Sequence, residues 1–485
     1  MRPVLKFLDD ALIQAILSEA RDILCHLGME IHNKNALALL GDHGADIDMG
    51  HWRAKFPGKL IDDALAAAPN SFKLYNAYGD VAHDLVDNNV QFVPGSAAIT
   101  VLDYETGRMR KPTTADYIQH VKLVEGLSNI ASQSTAFIAA DVTEQIQDSY
   151  RLYLSLLYGR KPVVTGAFTI ESFNLMKDLQ IAVRGSEEEL KAKPLTVFSV
   201  CPTAPLKWSD VTSQNLLDCA RSSIPVEYIS MPLLGFMSPV TIVGGLVQHT
   251  AETLSGLVMS QLANPGAPVL YGGSPALFDV RFETTPMGAV ETQMIDCAYN
   301  EIGKYLGLPT QAYISLSDAK QLDAQAGLET SMGATLAGLS GINSISGPGM
   351  LDFESCQSLE KLVLDNELAG MIFHLLRGIE PKEDFPALPH FQELVKEGHL
   401  LIAKHTRKHL RTEHHFPGPV IERANSSRWL EEGALTLNER AHREVERILT
   451  AYQPTTLPQS VKAELTELME REARRHGMDA LPTQS

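Results

Sequence analysis

The densest cluster of chemically capable side chains lies between Pro309 and Gly327, where the short apolar run QAYIS breaks into LSDAKQLDAQAG. Asp318, Lys320, Asp323 and Gln325 follow the run closely, and Glu329 stands on the small-residue segment beyond. A strand that ends and opens onto a helix is where α/β folds gather their chemistry. Asp318, Lys320 and Glu329 are therefore the catalytic candidates. The two carboxylates suit a cationic ligand, and Lys320 suits an ion pair with Asp323 or the anionic end of a substrate. The competing reading is a solvated loop with a helix N-cap at Ser317 or Asp318.

A second constellation is YGGSPALFDVRFET, residues 271–284. Gly272 and Gly273 let a backbone approach a ligand, and Ser274 offers a hydroxyl. Arg281 suits bidentate capture of a carboxylate, or else a surface pair with Asp279 or Glu283. A third is SGPGMLD at 346–352, where Gly347 and Gly349 allow close approach but no basic residue favours phosphate. Aromatic residues recur near the ends of apolar runs. Phe137, Phe168, Tyr271, Tyr313 and Phe353 are candidates for substrate binding, with Phe236, Phe278 and Phe282 close to the same positions. A quaternary ammonium has no proton to donate, so aromatic faces and carboxylates are what recognise it. For each ring singly, core or loop packing is the alternative.

No metal site is expected. The cysteines at 25, 201, 219, 297 and 356 form no CxxC pair, and reduced thiols are the reading for such a set. Cys201, at a predicted strand end, is the one candidate thiolate ligand, with packing as the alternative. His405 and His409 share a helical spacing of four within GHLLIAKHTRKHLRTEHHFPGP, but no third ligand stands at a diagnostic distance.

The elements that must position these residues alternate. Eight short runs rich in β-branched residues lie at 90–94, 132–139, 162–168, 195–201, 226–232, 269–273, 311–315 and, weakly, 342–346. Between them lie segments with apolar spacing of three and four, for example VQHTAETLSGLVMSQLA. Such alternation is the pattern of a parallel sheet with crossover helices, and eight repeats predict an α/β fold of the (β/α)8 barrel type. Residues 1–88 read as a mainly helical cap, 89–380 as the barrel and 381–485 as a C-terminal helical region packed on it.

Composition narrows the partners. The formal charge of −18 disfavours nucleic acid, whose phosphates require basic surfaces, and suits cationic ligands. No window approaches the run of about 18 apolar residues that a membrane span needs. A cytoplasmic protein with no membrane association is the expectation.

These segments also carry a resemblance. LSEARDILCHLGMEIHNKNALALLGDHGADID, VPGSAAITVLDYETGRMRKPTTADYIQHVKLVEGLSNI, PTQAYISLSDAKQLDAQAG and SLEKLVLDNELAGMIFHLLRGIE together resemble the trimethylamine methyltransferase family. The resemblance implies a (β/α)8 barrel that moves a methyl group from a methylated amine to the Co(I) corrinoid of a separate partner protein. No cofactor is then bound tightly by this chain itself. Founding members of the family use pyrrolysine, which this chain lacks, so it resembles the pyrrolysine-free branch acting on quaternary amines such as glycine betaine. Gly347 and Gly349 are then the corrinoid-facing candidates. Where family members carry histidine near this point, the chain has Gly347 and Pro348, a departure that bears on specificity. The expected partners are a small methylated, betaine-like amine and a cognate corrinoid protein, and a homo-oligomer is expected. Two alternatives stay open: a lyase or aldolase-type barrel using Lys320 as a Schiff base, and a non-catalytic barrel that binds a methylated amine.

Overall fold

The structure, a computed structural model, describes residues 2–483; Met1, Gln484 and Ser485, at the ends of the first and last predicted segments, lie outside the described residues. Eight short parallel strands alternate with long helices. The strands are β1 (Gln91–Val93), β2 (Gln133–Ser134), β3 (Val163–Thr165), β4 (Thr196–Val200), β5 (Val226–Tyr228), β6 (Val269–Leu270), β7 (Gln311–Tyr313) and β8 (Ser344–Ser346). Each is followed by a helix: α1 (Thr114–Gly126), α2 (Gln147–Tyr158), α3 (Ser172–Arg184), α4 (Asp210–Arg221), α5 (Ile242–Ala263), α6 (Val290–Tyr305), α7 (Ala324–Ser340) and α8 (Leu359–Leu376).

Strand pairing follows the chain. One sheet runs in the order β6-β5-β4-β3-β2, and a second in the order β7-β8-β1, all neighbours parallel. Parallel bridges join their edges on both sides, Phe92 to Ile130 ahead of β2 and Tyr271 to Thr310 ahead of β7. The apolar runs outlast the strands. The run predicted at 132–139, for example, is strand only at Gln133–Ser134, because the chain leaves the ladder early to form the loops at the strand ends. The weak run at 342–346 forms β8, paired on both sides.

Local chemistry sets the helix starts. Thr113 and Asp116 form a capping box for α1, and Ser209, Thr241 and Ser358 cap α4, α5 and α8 through their hydroxyls. For α7 the cap is Asp323, which accepts from Gln325 N at 2.9 Å and Ala326 N at 3.2 Å, rather than Ser317 or Asp318.

Alternate strand residues face opposite ways. Val93, Val164, Val197 and Leu270, one each from β1, β3, β4 and β6, cluster with Leu74 and Leu85 of the hairpin Phe72–Tyr75/Val81–Leu85. That hairpin adds strand to a cap expected to be mainly helical, and it packs against this one face of the strands. The N-terminal helices Asp10–Asp22, Lys34–Asp42 and Gly58–Ala67 pack on α5. Covered in this way on its outer side, α5 is apolar nearly all round, which is what burial on every side demands.

Beyond α8 the chain is helical, as its charge-rich periodicity predicts. The helix Leu437–Ala451 lies against α1 and α8, and Gln459–Arg475 lies against α2 and α3. Among the described residues, no helix is long and apolar enough to cross a membrane.

Candidate active site

A cavity of ≈ 480 Å³ opens at the C-terminal ends of the strands. Its wall draws on nearly every βα unit: Ser96 follows β1, Thr135 follows β2, Thr165 closes β3, Ser199 lies in β4, Ser274 follows β6 and Tyr313 closes β7. Small hydroxyl residues leave the space, and alternation along the strands aims them at it. Phe168 and Met231, exposed by 42% and 40%, stand where the cavity meets solvent.

Carboxyl groups set the electrostatics. Glu354, in the loop after β8, lines the cavity, and its Oε1 is enclosed without a hydrogen-bond partner. Burial and the neighbouring Glu227 hold its pKa well above the usual carboxylate range. Glu227 itself stands in the middle of β5 and is fully buried. Its Oε1 accepts from the cavity-lining Ser199 Oγ at 2.7 Å, its Oε2 accepts from nothing among the described residues, and burial pushes its pKa up to about 7. Asp296 on α6 is similar: burial raises its pKa, and neither carboxyl oxygen accepts a well-formed hydrogen bond. The Tyr299 hydroxyl beside it is shared between the Gly273 and Gln311 carbonyls at 2.9 and 3.0 Å. Buried carboxyls are normally paired, so Glu354 and Glu227, each with an unused oxygen beside this cavity, leave room for a cation.

The remaining wall is aromatic and weakly polar. The Tyr313 hydroxyl lies 2.8 Å from Ser96 Oγ, and burial together with Glu227 and Glu354 keeps its proton on. Cys201 lines the cavity with its pKa pushed up to about 12, first by burial and then by the same two carboxyls, so in the free protein it is a thiol. Among the described residues, no cluster of three His, Cys, Asp or Glu side chains suits a metal ion. His405 and His409 pair instead with Asp384 and Glu383.

Of the sequence candidates, Phe168, Ser274 and Tyr313 line this cavity. The others lie elsewhere, each for a visible reason. Asp318 is buried with its two carboxyl oxygens accepting from Met287 N at 2.9 Å and Gly288 N at 3.0 Å, so it clamps the loop ahead of α6. Glu329 holds the turn before α7, accepting from Ser317 Oγ at 2.6 Å and Asp318 N at 2.8 Å. Lys320 donates to Asp318 O at 2.7 Å, pairs with Asp352 at 3.2 Å and sits 3.7 Å over the Phe353 ring, which occupies a face of that aromatic.

Tyr271 follows Leu270, which faces the hairpin cluster, and so points the opposite way, where its hydroxyl donates to Thr250 Oγ1 at 3.0 Å between strand and helix. Gly273 is packed under His249, whose Nε2 would lie 2.3 Å from an added Cβ. Phe137 packs edge-on against Tyr117 and His120. Arg281 is a surface residue paired with Asp279 at 2.5 Å. Gly347 and Gly349 are both buried, so neither offers a face to another molecule; a Cβ on Gly347 would meet Ile314 O at 2.1 Å, and Gly349 adopts φ +85°.

Sequence reading missed Glu227, Glu354 and Arg151. A signal existed for Glu227, a single charge inside the apolar run VEYISMP, and for Arg151, a single charge in SYRLYLSLLY. Glu354 carries none, since its place depends on the path of a loop in which Asp352, Phe353 and Glu354 all adopt positive φ.

The family described as "Trimethylamine methyltransferase (MTTB)" matches residues 1–477. A trimethylamine methyltransferase MttB of Desulfitobacterium hafniense (strain DSM 10664 / DCB-2) is 29% identical over 471 residues, covering 97% of this chain and 94% of its own length. MttB of Methanosarcina barkeri (strain Fusaro / DSM 804) is 30% identical over 473 residues, with 95% and 93% covered. A glycine betaine methyltransferase of Desulfitobacterium hafniense (strain Y51) is 28% identical over 477 residues, with 98% of each chain covered. In fold, the chain is similar to the crystal structure of the Methanosarcina barkeri monomethylamine methyltransferase, with a TM-score of 0.50, 12% identity, and 91% of this chain and 88% of that one covered.

Proposed function

The chain belongs to the trimethylamine methyltransferase family and is a methyltransferase; from that premise we propose that it moves a methyl group from a betaine-like methylated ammonium to the Co(I) corrinoid of a partner protein in the cytoplasm. We infer further that its two parallel sheets, bridged at both edges, form one closed (β/α)8 barrel, the arrangement in which strand ends carry the chemistry. The observation that carries the reading is the cavity at those ends, where the unused oxygens of Glu354 and, behind Ser199, of Glu227 call for a cation.

The residues divide the work. Glu354 and Glu227 offset the ammonium charge through carboxyl oxygens that are themselves enclosed, where such attraction counts for more than at a surface. The ring of Tyr313 adds a cation–π face worth about 0.5–2 kcal/mol. In this reading the wall holds the ammonium with one methyl aimed outward past Met231, whose exposed apolar surface suits the approach of a flat group. The corrinoid, when the partner brings it, supplies a strong nucleophile for that methyl. The C–N bond breaks with its electron pair staying on nitrogen, so a quaternary substrate leaves as a neutral tertiary amine and needs no general acid. Positioning is then the main contribution of this chain. Lys320 lies outside the cavity lining and is engaged by Asp318, Asp352 and Phe353, which disfavours a Schiff-base lyase.

The test mixes the protein with a reduced cognate corrinoid protein and a panel of methylated amines. The reading expects one demethylated product, matched by a change in the corrinoid spectrum. No product across the panel, with the corrinoid protein shown to accept methyl groups from another donor, would return the choice to a lyase or a binding barrel.

A further inference from the structure

The helix α2 is buried continuously from Asp148 through Leu156, and Arg151 is its one basic side chain in that stretch. A buried guanidinium is ordinarily set against a carboxylate, because removing the charge from water costs several kcal/mol. Arg151 has no ion pair among the described residues. Its Nη1 donates to Thr135 O at 2.8 Å and its Nε to Gln147 O at 3.1 Å, while the guanidinium carbon lies 4.6 Å from the Phe168 ring centre. Its Nη2 has no hydrogen-bond partner among the described residues. The adjacent Asp148 is committed to backbone amides, those of Ser149 at 2.7 Å and Phe168 at 2.6 Å. Thr135, Arg151 and Phe168 all line the cavity.

The cavity therefore holds both signs of charge without joining them. Glu354 stands among Ser96, Cys201 and Tyr313, whereas Arg151 stands with Thr135 and Phe168, and no ion pair links the two groups. We propose that Arg151 anchors a carboxylate at the end of the substrate opposite its methylated ammonium, making it the residue that selects zwitterionic over simply cationic amines. The inference rests on the functional reading above and assigns the residue that sets its specificity. A zwitterion serves both groups. A tetraalkylammonium serves one, and a hydroxyl-ended amine offers the guanidinium a single neutral acceptor where a carboxylate offers two charged ones.

The test is calorimetric binding of glycine betaine, choline and tetramethylammonium to the full chain without any corrinoid protein. The wild type should favour glycine betaine. Arg151→Gln should lose roughly tenfold to a hundredfold of that affinity, the span of a charge-assisted hydrogen bond, with tetramethylammonium unaffected and Arg151→Lys falling between. Because the ratio between ligands is read within each variant, a modest loss of stability does not obscure it, and if Arg151→Gln fails to fold the ratio in Arg151→Lys decides. A wild type without preference for the carboxylate, or a ratio unchanged by the substitutions, overturns the anchor. That result leaves methyl transfer standing if the corrinoid assay succeeds; no binding of any of the three ligands overturns the anchor together with the cation site.

Discussion

Ser199 Oγ donates a 2.7 Å hydrogen bond to Glu227 Oε1, tying the wall of the cavity to a carboxyl buried in the middle of a strand. Among the described residues Glu227 has no cation beside it, and only one of its oxygens is served. An uncompensated carboxylate there is costly, so the free protein holds the proton until about neutrality.

That proton makes ligand binding depend on pH. With the folded pKa at about 7 against the ordinary 4.5, the free protein loses stability as pH rises from 4.5 through 7, since the unfolded chain releases its proton first. A bound cation works in the opposite direction by favouring the ionised form. Affinity for a quaternary ammonium should therefore rise as pH passes through 7, and Glu227→Gln should flatten that rise while keeping the bond to Ser199. Titration calorimetry at several pH values measures it, and an equal slope in the variant would remove Glu227 from the cation site.

Two tyrosines at consecutive strand ends should respond differently. Tyr313→Leu removes a ring from the cavity wall and should weaken ammonium binding by about 0.5–2 kcal/mol. Tyr271→Leu changes the packing between β6 and its flanking helices and leaves Thr250 without its partner, so it should cost stability of about 1–3 kcal/mol with affinity unchanged. Binding isotherms and denaturant melts on both variants separate the two effects.

Asp318→Asn exchanges an acceptor oxygen for a donor opposite a backbone amide, either Met287 N or Gly288 N. Destabilisation of about 1–3 kcal/mol is expected from the amide left facing it. Since Asp318 lies outside the cavity lining, ammonium affinity should stay within twofold of wild type, a margin of about 0.4 kcal/mol. A loss of affinity with an unchanged melt would instead return Asp318 to the binding site.

How much of this was legible differs between the fold and the site. The alternation of β-branched runs with amphipathic helices marks all eight strands, even INSIS, because a period of two against 3.6 is a local property of the chain. The rim residues Phe168, Ser274 and Tyr313 were legible because they sit at or next to those strand ends. For Tyr271 the sequence lacks phase: which way a residue near a strand end points follows from register, which shows only once Leu270 clusters with Val197 and Leu85. Asp318 and Glu329 are polar residues at a strand end, as a site would have, but their oxygens are spent on neighbouring amides and hydroxyls that sequence does not place beside them. Arg151 reaches the cavity from a helix rather than a strand, and reading strand ends alone passes over it.

A last expectation concerns the loop that delivers Glu354. Lys361 and Asp365, one turn apart on α8, form a fully buried pair at 2.6 Å. Asp365 Oδ2 also accepts from Gly349 N at 2.6 Å, and its Oδ1 accepts from Thr330 Oγ1 at 3.1 Å, so one carboxylate joins α7, α8 and the turn that follows β8. Lys361→Met keeps most of the volume but leaves that carboxylate without its cation, which should cost about 3–5 kcal/mol in urea unfolding. Adding Asp365→Leu removes the orphaned charge, so the double variant should recover part of the loss while still lacking the bond to Gly349. If the pair served only helix stability, the double variant would bind quaternary ammonium ions like the wild type. If it also fixes the path from Gly349 to Glu354, affinity should stay depressed after stability returns, and that is the expected outcome.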